Sequence, residues 1–177
     1  MIEHGKKLLS SLMELGKLIS EDYLKQQQAL HNDKNYGVSG HKWASKISHH
    51  KDILDYGCGK KTLEAALNRP IANYDPCVTG LENNNQSHDF VFCGDVLEHI
   101  ELHLLDNVLQ DIKRCMIHSG LLVISLIPAK KTLPDGRNAH LILETHNWWR
   151  DKLANYFIIT NEEVNDKEYV VEVKPWV

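Results

Sequence analysis

No stretch of this chain stays apolar long enough to cross a membrane as a helix, which takes about 20 residues. The run Leu121 to Ile127 is already stopped by Pro128 and Lys130. No membrane partner is expected. The opening Met-Ile-Glu-His-Gly-Lys-Lys-Leu-Leu lacks the uninterrupted apolar core and small-residue cleavage site of a secretory leader, so a cytoplasmic location is expected. Paired cysteines are missing too: Cys58, Cys77, Cys93 and Cys115 show no doublet spacing, which makes reduced thiols the expectation. There is no excess of positive charge. A net charge of −4 and a pI near 6.2 argue against general nucleic-acid binding, which depends on neutralising phosphates. Metal-ligand spacing is also lacking despite 11 histidines. His49-His50 sits in a polar connection, and His99 and His103 are four apart without the glutamate of a zinc-protease helix, so no metal is expected.

What is present is ordinary for a globular protein, with 42% hydrophobic and 25% charged residues. A chain of 177 residues reads as one domain, residues 1–177, in which 1–50 form a helical extension or lid. Leu8, Leu9, Leu12, Leu15, Leu18 and Ile19 recur at helical spacing, and that helix is extended here through Tyr23 to His31. Residues 32–40 form a loop by composition, and Lys42 to Ser48 a helix leading into the first strand.

The segment Asp52-Ile-Leu-Asp55-Tyr56-Gly57-Cys58-Gly59 carries the strongest signal. Ile53 and Leu54 end an apolar run, and two glycines two apart permit a sharp strand-to-helix turn that a ligand can approach closely. Asp75, twenty residues beyond Asp55, closes the short run Ile71 to Tyr74, where a carboxylate can accept ribose hydroxyls. A dinucleotide fingerprint needs a third glycine at position 62, which is Thr; a phosphate-cradling loop needs a glycine before Lys61-Thr62, where Lys60 stands. Both readings weaken.

Further on, Asp89 to Cys93 is an apolar strand leading to Gly94-Asp95-Val96-Leu97-Glu98-His99. A helix follows from about Leu102 to Ile117, with Leu104, Leu105, Val108, Leu109, Ile112 and Met116 on its buried face. Gly120 ends it, and Leu121 to Ile127 is a buried strand. Asn147 is placed as the cap of a helix through Tyr156. Phe157 to Val164 and Glu168 to Val173 form a hairpin across Asn165-Asp166-Lys167. Of Trp148-Trp149, one ring is expected in the core and the other partly exposed. The alternation gives an α/β fold: a Rossmann-like, mostly parallel sheet with a carboxyl-terminal antiparallel hairpin.

The three acidic segments resemble the first, second and fourth motifs of class I S-adenosylmethionine-dependent methyltransferases. Asp-Tyr-Gly-Cys-Gly-Lys and Pro-Ala-Lys-Lys-Thr-Leu-Pro-Asp-Gly-Arg-Asn-Ala-His are similar to phrases of small stand-alone bacterial and phage methyltransferase-like proteins. The resemblance implies S-adenosylmethionine as cofactor. Asp55 and the backbone of Tyr56, Gly57, Cys58 and Gly59 would meet its methionine part, Asp75 and Pro76 the ribose side, and Asp95 and Val96 the region of the reacting centre. The stretch between Asp75 and Asp89 is too short for the helix and third strand of a full-size member, so a shortened third-strand region is expected.

For the acceptor, the charged loop Pro128 to Leu143 offers Lys130 and Arg137 as anchors for an anionic group and His140 as a proton acceptor. Asp95 is the second catalytic candidate, and a solvated surface loop is the competing reading. Asp95-Val-Leu-Glu98 stands where amino-methylating DNA enzymes carry Asp/Asn-Pro-Pro-aromatic, which disfavours DNA bases and leaves a small-molecule acceptor. The expected activity is methyl transfer to a small metabolite, an anion or a sugar or nucleotide derivative. The rivals are a non-catalytic, regulatory cofactor-binding protein and an enzyme that cleaves the cofactor.

Overall fold

The computed structural model describes residues 16–176. Its strands are β1 (Ile53–Tyr56), β2 (Ala72–Tyr74), β3 (His88–Gly94), β4 (Met116–Ser125), β5 (Phe157–Val164) and β6 (Glu168–Pro175). They form one sheet in the order β2-β1-β3-β4-β6-β5. β1 to β4 run parallel, while β6 is antiparallel to both β4 and β5. The helices are α1 (Glu21–His31), α2 (Ala44–Ile47) after a 3-10 turn Gly40–Trp43, α3 (Thr62–Leu67), α4 (Leu105–Cys115) and α5 (His146–Ala154). This is the expected Rossmann-like arrangement with its carboxyl-terminal hairpin.

The period-2 alternation of the central strands feeds two cores. Leu54, Val91, Cys93, Leu122 and Ile124 face α4 and α5, against Leu105, Val108, Leu109, Ile112 and the fully buried Trp149. Ile53, Phe90, Phe92, Leu121 and Val123 face the other way, onto Ile47 and Leu63. Burial on both faces explains why these strands read as continuous apolar runs. Trp148 packs against the first core while staying partly exposed.

Between Asp75 and Ser87 the described chain forms neither helix nor strand. β2, three residues long, is therefore the edge of the sheet. The chain passes from β1 to β2 on one side and then returns across β1 to β3 on the other, which puts the topological switch point beyond the carboxyl ends of β1 and β3.

Several boundaries differ from expectation. α4 stops at Cys115 and β4 begins at once at Met116, so Gly120 lies inside a strand rather than at a helix end. A Cβ on Gly120 would stand 2.7 Å from the carbonyl oxygen of Val91, so this glycine serves close strand packing. α5 is capped by Thr145, whose side chain accepts from the N–H of Trp148, not by Asn147. The amino-terminal helix drawn over Leu8 to Ile19 falls largely outside the described residues; from Gly16 to Ser20 the chain is not helical. α1 starts afresh, with the Ser20 hydroxyl accepting from the N–H of Tyr23.

Candidate active site

A cavity of about 480 Å³ opens at the carboxyl edge of the parallel strands. Its floor is the turn after β1. Gly57 and Gly59 have φ of +80° and +50°, and a Cβ on Gly57 would meet the Val96 side chain at 2.3 Å. Val96 thus fixes why the first glycine is required.

The turn spends every N–H internally. Gly57 and Cys58 donate to the carbonyl of Tyr74 at 2.7 and 3.0 Å, Gly59 to the Asp75 carboxylate at 2.9 Å, Lys60 to the carbonyl of Gly37 at 2.9 Å and Lys61 to that of Cys58 at 2.9 Å. A loop with its donors consumed cannot cradle phosphate. Acids surround it instead. Asp55, Asp75, Asp95 and Glu101 line the cavity, and Asp55 and Asp75 are buried. Burial, then the charge of Asp75, pushes the Asp55 carboxyl up to about 7. Such a cluster favours a positively charged ligand group.

Asp75 also accepts from the N–H of Cys77 at 2.9 Å, so one backbone donor holds each of its oxygens. The remaining lone pairs are available for hydroxyls. Of the residues expected at the cofactor, Asp55, Gly57, Cys58, Gly59, Asp75, Pro76, Asp95 and Val96 line the cavity. Tyr56 does not: its ring lies in the core, and its hydroxyl donates to Asp111 at 2.9 Å.

The roof comes from α1 and the loop after it. The Ser20 backbone and hydroxyl both donate to Glu101 at 2.8 Å, anchoring the start of α1. The hydroxyl of Tyr23 donates to the carbonyl of His99, Gln27 donates to that hydroxyl, and Tyr36 donates to Gln27 at 2.7 Å. At the other end of α1, Nζ of Lys60 donates to the carbonyls of His31, Asp33 and Tyr36 at 2.9, 2.6 and 3.2 Å.

On the far wall, Lys130 and His140 line the cavity, whereas Arg137 does not. Its guanidinium pairs with Asp135 at 2.6 Å and sits 5.9 Å from the ring centre of Tyr23. Nδ1 of His140 lies 2.6 Å from the carbonyl of Ile127, and Nδ1 of His99 lies 2.7 Å from that of Ala139. A carbonyl only accepts, so Nδ1 is the protonated nitrogen of each ring, and in the neutral tautomer Nε2 carries the free lone pair. The two rings meet edge to face, with centroids 4.7 Å apart. Burial, then His140, lowers His99 to about 3, which keeps that ring neutral. Beneath them Glu98 is fully buried. Its Oε1 accepts from the N–H of Ser125 at 3.0 Å, but Oε2 has no partner. Burial, then Asp95, holds this carboxyl well above its usual range. A buried oxygen left unpaired costs about 1–3 kcal/mol.

Tyr23, Gln27 and Tyr36 escaped the sequence reading, which named His99 only to set it aside as a metal ligand. Tyr23 and Gln27 are four apart on one helix face, a spacing that brings side chains together. Nothing local marks Tyr36, which reaches them only through the folded loop.

No family model matches the chain, and no curated protein matches it. Solved structures do. DhpI in complex with S-adenosylhomocysteine aligns at a TM-score of 0.61 and 14% identity, covering 88% of this chain and 98% of that one. The Burkholderia thailandensis 1,6-didemethyltoxoflavin-N1-methyltransferase, with its substrate and S-adenosylhomocysteine bound, gives 0.57 at 15% identity over 78% and 79%. Magnesium protoporphyrin IX methyltransferase from Synechocystis PCC 6803 with bound S-adenosylhomocysteine gives 0.55 at 16% identity over 85% and 84%. The fold is that of the class I S-adenosylmethionine-dependent methyltransferases.

Proposed function

We propose that this protein transfers a methyl group from S-adenosylmethionine to a small-molecule acceptor. One observation carries the reading: the turn after β1 has no N–H left for an anion and is ringed by Asp55, Asp75 and Asp95. That environment fits a ligand with an ammonium, a sulfonium and a pair of ribose hydroxyls. Asp75 would hold the hydroxyls, Asp55 would face the positive charge of the methionine part, and Val96 would close the floor beside Gly57. The cofactor supplies an electrophilic methyl carbon. Held by Asp55 and Asp75, it would exchange the bond of its methyl carbon to sulfur for one to the acceptor atom, with the electron pair of the broken bond left on sulfur.

The chain's own contribution is alignment and exclusion of water, which can lower a barrier by about 7–11 kcal/mol. α1 and the 32–40 loop cover the cavity. Lys130 offers its wall a positive charge for an anionic acceptor. His140, which lines the same cavity, would accept the proton of an acceptor that begins protonated. The similar structures named above bind S-adenosylhomocysteine or act as methyltransferases on small molecules, which supports the same assignment here.

Incubation with methyl-labelled S-adenosylmethionine, alone and with a fractionated metabolite extract, tests it. Label transferred to an extract component is expected. Binding without turnover would favour a regulatory cofactor-binding protein, and loss of cofactor without any acceptor would favour its cleavage.

A further inference from the structure

We propose that Glu98, His99 and His140 form a divalent transition-metal site on the acceptor wall of the cavity. A carboxylate oxygen of Glu98 and one ring nitrogen from each histidine lie within 4.8 Å of one another. Nδ1 of each ring is committed to a backbone carbonyl, Ala139 for His99 and Ile127 for His140. This is the outer-shell support that metal-binding imidazoles receive, and it leaves Nε2 of each neutral ring as the nitrogen free to ligate. The third member supplies independent support: Oε2 of Glu98 is buried with no hydrogen-bond partner, although its other oxygen is satisfied by Ser125.

Two imidazoles and one carboxylate suit Zn²⁺, Mn²⁺, Co²⁺ or Fe²⁺, whereas Ca²⁺ and Mg²⁺ favour all-oxygen sites. Metal–ligand bonds of about 2.0–2.2 Å require the three donors to draw together from their present spacing. His140, on a loop, can supply that movement. Glu98 loses its proton on binding, as coordinating carboxylates do.

Another trio, His31, Asp75 and Cys77, also lies within ligating distance. It is the poorer candidate. Both oxygens of Asp75 already accept from backbone N–H groups, and burial with the Asp75 charge pushes the Cys77 thiol up to about 12, against thiolate formation.

The site has a consequence for substrate class that rests on the methyl-transfer reading. Three protein ligands leave coordination positions toward the cavity, since His99 and His140 both line it. A cation there acidifies a bound hydroxyl, whose proton leaves to solvent. The favoured acceptor is then a hydroxyl compound, and with the ion bound His140 serves as its ligand rather than as the proton acceptor.

The test uses untagged full-length protein stripped with chelator and titrated calorimetrically with Zn²⁺ and with Mn²⁺. One tight site per chain is expected for at least one of them. Glu98→Gln, which preserves shape, and His140→Ala should each weaken it roughly 10-fold or more, while His31→Ala should leave it intact. Wild-type affinity in both Glu98→Gln and His140→Ala, or loss confined to His31→Ala, would overturn the proposal. S-adenosylhomocysteine binding is measured separately on the metal-free protein. Its presence with no metal bound overturns only the metal site; its absence with the metal site intact overturns the methyl-transfer reading instead.

Discussion

Gly59 and Gly37 meet backbone to backbone: a Cβ on Gly59 would stand 2.6 Å from the Gly37 carbonyl oxygen and 2.8 Å from its α carbon. The same carbonyl accepts from the N–H of Lys60 at 2.9 Å. Gly59→Ala therefore forces an L side chain into φ +50° and pushes the covering loop outward. The variant should lose about 1–3 kcal/mol in urea unfolding and bind S-adenosylhomocysteine more weakly in calorimetry. Full retention of both would show that the loop is not pressed on the turn.

Asp75→Ala removes the proposed ribose acceptor and leaves the N–H groups of Gly59 and Cys77 without their present partner. S-adenosylhomocysteine affinity should fall roughly 10-fold or more, in line with charged hydrogen bonds worth about 1.5–3 kcal/mol. Circular dichroism should still report a folded protein. An unchanged affinity would remove Asp75 from the cofactor site.

Asp55 gives a pH signature. Its folded carboxyl titrates at about 7, far above the usual carboxylate range, through burial and the charge of Asp75. Between those limits the folded state holds a proton that the unfolded chain has released. This group's contribution to stability therefore declines as pH rises across the window. A cationic ligand favours the ionised form and reverses the trend. The thermal shift produced by S-adenosylmethionine should grow from about pH 5.5 to about pH 8.5, roughly 1.5 units on either side of that value. Asp55→Asn should flatten the growth, and an equally steep profile in the variant would exonerate Asp55.

His140→Ala should lower kcat by about 10²-fold or more once an acceptor is known, with S-adenosylhomocysteine affinity unchanged. Arg137→Ala should alter neither, because its guanidinium is spent on Asp135 outside the cavity wall. A large kcat loss in Arg137→Ala, with His140→Ala unaffected, would reverse the two assignments.

The sequence made the sheet legible wherever side chains report only on their own strand. Ile53 and Leu54 or Phe90 to Cys93 are apolar because both faces of the sheet are covered, and that shows without knowing what covers them. The turn after β1 was legible for a similar reason, since Gly57 and Gly59 answer to local φ and to one close neighbour each. Met116 misled. Its helical spacing continued α4, but pairing of β4 with β3 starts at His88 opposite Met116 and overrides that local preference. The roof was illegible because Tyr23, Tyr36 and His99 join through hydrogen bonds spanning up to 76 positions. Glu98 and His140 are likewise brought together only by the fold. Neither periodicity nor spacing carries such distances.

The grip of Lys60 on three carbonyls ties the covering segment to the turn after β1. Its ammonium rises from the turn after β1 and holds the end of α1, while Lys131, from the loop after β4, pairs with Asp33 on the same segment. Residues 31–36 are thus clasped from both halves of the cavity at once. Under the proposed methyl transfer, this double clasp is expected to slow departure of the spent cofactor, so that a first turnover would outrun those that follow.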